Sequence, residues 1–89
     1  MSAFSVISTV PNNPSLIEAI NRAYGDANIM IAQNVWLIAD KGVTTQEVSK
    51  KLGIEKGGVD NTVILKIDSY WGMAPTQIWE WLSVKLAET

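Results

Sequence analysis

Any chemistry in this chain must come from carboxylates, amides, hydroxyls and amines, because it contains neither cysteine nor histidine. That removes thiolate nucleophiles, disulfides, Ser-His catalysis and zinc sites built from Cys and His. The acids are Glu18, Asp26, Asp40, Glu47, Glu55, Asp60, Asp68, Glu80 and Glu88. No two of them share a catalytic or metal-binding spacing. Glu47 closes a capping box with Thr44, and Asp40 and Asp60 stand at turn positions that favour Asp. Asp68 differs, lying late in a run rich in Val, Ile and Leu, two positions after Lys66 and on the same strand face. The plain reading is a solvated strip or a Lys-Asp pair. The sharper one is a single ligand of an oxygen-coordinated Mg²⁺. No catalytic residue, metal-ligand set or cofactor follows, and the chain reads as non-enzymatic.

A second candidate is an anion site. Asn12, Asn13 and Ser15 surround the start of the first helix, where free N–H groups attract phosphate-like ligands. The later loop with Lys56, Gly57 and Gly58 falls at the same end of the expected fold, with backbone that a ligand can approach closely. The spacing matches no phosphate-loop pattern, and Pro11-Asn-Asn-Pro14 is also good capping chemistry. Thr44 to Ile54 resembles the first helix and turn of helix-turn-helix domains, but Gly57-Gly58 and a strand follow where a recognition helix should begin.

The elements that position these residues follow from pattern. Ala3 to Val10 is a β-branched strand ended by Pro11. Asn13 caps a helix with Pro14 at its first position, running to Tyr24. Asn28 to Gln33 and Val35 to Asp40 form a hairpin turning at Gln33-Asn34. A short helix runs from the Thr44 cap to Leu52, with Gly53 closing it in the left-handed conformation. Thr62 to Tyr70 is the most strand-like run, and Trp71 to Pro75 breaks it. A closing helix spans residues 75–87. The order β-α-β-β-α-β plus a helix predicts an α+β domain over residues 1–89, a ferredoxin-like sandwich with an antiparallel sheet of order 4-1-3-2.

The strands are apolar on both faces: Val35, Leu37 and Ala39 oppose Trp36 and Ile38, while Ile29 and Ile31 oppose Met30. Two helices cover one face, so the closing helix or a second subunit must cover the other. That helix groups Ile78, Trp79, Leu82 and Leu86, which leaves Trp81 and Val84 to the side. Trp81 is therefore expected either to meet a twofold mate or to lie as a partly exposed lid on its own sheet. With 47% hydrophobic and 18% charged residues in an 89-residue chain, part of the apolar excess is expected at an interface. The candidate partner surface is Met30, Trp36, Ile38, Tyr70, Trp71, Trp81 and Val84. A net charge of −2 argues against nucleic acid, and no apolar run is long enough for a membrane span. A cytoplasmic homodimer is expected, acting as an interaction or regulatory module for a protein partner. The alternatives are a small-ligand or nucleotide binder and a Mg²⁺-dependent nuclease.

The element order over residues 3–70 resembles small ferredoxin-like proteins related to the CRISPR-associated Cas2 family, which implies a scaffold that pairs through its sheets. Nucleases of that family carry an acid at the end of the first strand, where this chain has Ser8-Thr9-Val10. The resemblance thus implies the scaffold without the nuclease. Ala74 to Leu82 is similar to a segment of short bacterial and phage proteins and implies no activity.

Overall fold

The structure is a computed structural model that describes residues 1–87; Glu88 lies outside the described residues. Its elements are β1 (Ser2–Ser8), α1 (Pro14–Ala23), β2 (Asn28–Ala32), β3 (Val35–Asp40), α2 (Thr45–Leu52), β4 (Thr62–Lys66) and α3 (Thr76–Ala87). Among the described residues four strands form one open sheet in the order β2-β3-β1-β4, which read from its other edge is the expected 4-1-3-2. Every neighbouring pair is antiparallel.

Local chemistry sets the boundaries. The Asn13 side chain accepts from the Leu16 N–H at the start of α1. Thr44 and Glu47 close the capping box of α2, with the Glu47 N–H donating to Thr44 Oγ1 at 3.2 Å and the Thr44 N–H to Glu47 Oε1 at 3.1 Å. Gly53 ends α2 at φ 72°, and the next N–H, that of Ile54, donates to the Ser49 carbonyl. Asn34 turns the β2–β3 hairpin at φ 67°. β1 stops earlier than expected because the Ser8 hydroxyl donates to the Val10 carbonyl and folds the chain into a turn. β4 also ends early, at Lys66. One more bond follows, from the Ile67 N–H to the Ala3 carbonyl, and the chain then bends at Asp68.

Each sheet face carries its own core. Phe4, Val6, Trp36 and Ile38 point to one side, where Leu16, Ala19 and Ile20 of α1 and Val48 and Leu52 of α2 cover them. Ala3 and Leu37 point to the other, under Ile78 and Leu82 of α3, with Ile29, Ile31, Ile67, Trp79, Trp81 and Leu86 around them. The chain's own last helix therefore covers much of the second apolar face. No helix among the described residues is long and apolar enough to cross a membrane.

A polar clamp ties the helical layer to the sheet. The Tyr24 hydroxyl, just past α1, donates to Asp40 Oδ2 at 2.7 Å, and Lys51 Nζ in the last turn of α2 reaches the same oxygen at 2.6 Å. The Lys41 N–H donates to Asp40 Oδ1 at 2.7 Å. Burial and the adjoining Asp40 carboxylate push the Tyr24 phenol far above its ordinary range. Burial alone would raise the Asp40 carboxyl, but the bonds from Lys51, Tyr24 and Lys41 outweigh it and hold the group below its ordinary value.

Two outcomes follow. Asp40 is lowered on folding, so its contribution is complete above the ordinary carboxyl value of ~4 and is lost as pH falls through the lowered folded value. Tyr24 is raised, so its contribution is complete below ~10 and is lost as pH climbs toward the folded value. Urea unfolding from pH 2.5 to 7 should show Asp40→Asn destabilised by roughly 1–2 kcal/mol at neutrality, with the gap to the parent closing below about pH 4. In the core, Phe4→Ala should cost about 3–5 kcal/mol in the same assay.

Candidate interaction surface

The loop between β4 and α3 is built from residues that neither strand nor helix accommodates. From Ser69 to Trp79 the sequence carries no charge. The Tyr70 ring stacks on Trp79 of α3, with centroids 5.8 Å apart and planes at 14°. Stacking anchors the start of the loop to the helix. Beyond it Trp71 is 99% exposed and Met73 is 100% exposed. The loop, the sheet face and α3 enclose a groove of ≈ 580 Å³, floored by Ser5, Leu37 and Ile67 and walled by Tyr70, Pro75 and Trp79. Its surroundings are apolar, with the Ser5 and Ser69 hydroxyls as polar points.

The seven residues read from sequence as a partner surface do not form one patch. Tyr70 and Trp71 meet at the groove. Trp81 is half-buried against the core under α3, and Val84 is exposed on the same helix. Met30 is exposed on edge strand β2, paired across the ladder with Trp36 and so on the α1/α2 face of the sheet, away from α3. Trp36 and Ile38 are buried under α1 and α2 and offer a partner almost no surface. This corrects their place in the candidate set: the apolar face they belong to is spent on the chain's own helices. Met73, absent from that set, is the most exposed of all. The uncharged run from Ser69 to Trp79 was the signal that marks it.

The candidate anion residues are brought to one end of the molecule. Asn13 Nδ2 donates to the Asp60 carbonyl at 3.0 Å, and the Thr9 N–H donates to the Asn61 carbonyl at 2.8 Å. Asn13 is buried and fully engaged, with Nδ2 also reaching Ser8 Oγ. The N–H groups of Leu16 and Ile17 are directed to Asn13. Asn12 and Ser15 are exposed beside them. Lys56, Gly57 and Gly58 lie in an exposed turn whose N–H groups close on itself, Gly58 donating to Glu55 and Val59 to Gly53. A Cβ on Gly58 would stand 2.9 Å from the Gly53 carbonyl oxygen, so glycine is required there by the turn's own packing.

Asp68 and Lys66 are exposed, and the ion pair found among the described residues is Lys51–Asp40. No group of three or more acidic side chains placed to hold a metal ion occurs among the described residues. No protein-family model matches the sequence, and no curated protein or solved structure matches it either.

The four tryptophans differ in accessibility, which fluorescence can read. At dilutions where the chain is monomeric, acrylamide should strongly quench one component of the emission, and Trp71→Phe should remove that component. The same substitution should leave the unfolding free energy within about 0.5 kcal/mol of the parent. A quenchable fraction that Trp71→Phe leaves unreduced would mean that the ring is covered in the monomer.

Proposed function

We propose that this protein is a non-enzymatic interaction module that associates with its own copy, and through the same aromatic surface with a protein partner. One observation carries the reading: an uncharged loop holds Trp71 and Met73 wholly in water, next to an apolar groove. An exposed Trp forgoes roughly 2–3 kcal/mol of burial, and a loop that leaves two large apolar side chains bare gains that energy only on contact. Anchoring of Tyr70 on Trp79 supports it further, since a fixed loop loses less freedom on binding.

The architecture we assign to the module is the ferredoxin-like sandwich, supported by the element order and by the antiparallel order β2-β3-β1-β4. Kinship with the Cas2 scaffold belongs to the same proposal and concerns architecture alone. Phosphate binding has weaker support, because Asn13 and the N–H groups of Leu16 and Ile17 are occupied by each other.

The test is a dilution series by light scattering on the parent and on Trp71→Ser/Met73→Ser. The parent should be dimeric at micromolar concentration and the double variant monomeric and folded, with a melting midpoint lower only by the stability that association adds. A double variant that associates as tightly as the parent would remove the aromatic loop from the interface.

A further inference from the structure

The phase of the hydrogen-bond ladder shows what β4 offers at its open edge. The Ile67 N–H bonds the Ala3 carbonyl and the Thr9 N–H bonds the Asn61 carbonyl. In an antiparallel pair alternate residues turn their N–H and C=O to opposite sides. Val63 and Leu65 therefore spend their backbone groups on β1, in register with Ile7 and Ser5. Thr62, Ile64 and Lys66 turn theirs outward. Among the described residues β4 pairs with β1 alone, and none of them places a strand beside this row.

The other edge strand is protected. β2 has a register shift between Met30 and Ala32 that interrupts its ladder near the hairpin. The register of β4 is unbroken from Thr62 to Lys66. Its side chains also leave apolar surface bare on the α3 side of the sheet, where Val63 is 43% and Leu65 52% exposed.

We infer that a second copy of this chain occupies the β4 edge, its own β4 running antiparallel about a twofold axis at Ile64. This rests on the self-association proposed above and specifies its geometry. An antiparallel pair of identical strands is twofold by construction, so the interface closes at a dimer. Centred on Ile64, the pairing sets the Ile64 residues of the two copies opposite each other and Lys66 opposite Thr62 of the second copy. Val63 then stands opposite Leu65 of the second copy, in a non-hydrogen-bonded pair where side chains approach most closely. The two exposed apolar residues are thereby matched twice over.

Charge fits the same occupant. Lys66 is the only charged residue of β4 and meets a threonine, so no like charges face each other. The groove beside the edge is lined by Thr45, Gln46, Ser49 and Ile54 with Thr62 and Ile64, all uncharged, and a second α2 can approach across it. A five-residue strand pair falls short of the ~800 Å² that each partner gives a stable interface. The aromatic loop begins only four residues after Lys66, and Trp71 alone offers about 200 Å².

Because the N–H of Lys66 points outward, proline at this position removes an edge donor without touching the β1 ladder. Light scattering across a dilution series should show Lys66→Pro dissociating roughly 30-fold more readily, two ladder bonds being lost per dimer. A charge pair tests the register independently. Val63→Lys/Leu65→Lys sets lysines against each other across the axis and should be monomeric. Val63→Lys/Leu65→Glu sets Lys against Glu and should remain dimeric. Circular dichroism verifies the fold of each, and the charge pair decides the matter should Lys66→Pro fail to fold. A parent dimer with all variants equally dimeric would overturn the edge pairing and leave self-association standing. A parent that is monomeric at every concentration would overturn both.

Discussion

A strand bonded along both edges and packed on both faces leaves little of itself to water, and β1 is such a strand. Its even-numbered residues spend their backbone groups on β3 and its odd-numbered ones on β4. Phe4 and Val6 lie wholly buried on one face and Ala3 on the other. Everything else is arranged around that demand. The layer of α1 and α2 satisfies one face, α3 the other, and the loops bring these helices back across the sheet. Ala3 is small where α3 comes over, whereas Phe4 fills the space beneath the two-helix layer.

The two cores are not equivalent. Among the described residues the first gathers eleven buried ones and is locked at its margin by the Tyr24–Asp40–Lys51 clamp and by Asn13, which joins the end of β1, the start of α1 and the backbone of Asp60. The second gathers four buried residues and a rim of half-buried ones, Trp79 and Trp81 among them. The surface proposed for binding grows out of the second. It is there that the chain leaves aromatic side chains incompletely covered, and there that its connecting loop carries no charge.

Much of this was legible in the residues. Caps announce themselves locally: Asn13-Pro14, Thr44 with Glu47, Gly53 and Asn34 each act within four residues of chain, and each appears where it was read. Strand order followed from element order. What could not be read was which of two apolar faces the chain would cover with which helix, since Trp36 and Leu37 are equally apolar neighbours on opposite sides. Hence the pattern alone assigns Trp36 and Ile38 to a partner surface, although α1 and α2 bury them. The clamp joins residues 16 and 11 positions apart, beyond any local pattern. The free edge of β4 was equally silent, because side-chain type says nothing about the direction of the backbone bonds. Only the register does.

The unequal cores have a further consequence, for how the molecule comes apart. α3 contributes no strand to the ladder and is held by side-chain packing, chiefly through Ile78 and Leu82. Lifting it breaks no sheet hydrogen bond and leaves the first core whole, so it costs less free energy than global unfolding. Amides of α3 should then exchange with solvent through this partial opening, while those of β1 wait for the whole domain to unfold. Each such opening bares Ala3, Leu37 and the neighbouring isoleucines, a flat apolar surface on an otherwise native sheet. The closing helix thus acts as the molecule's guard against aggregation, and its docking strength, more than the total stability, sets how often that guard is down.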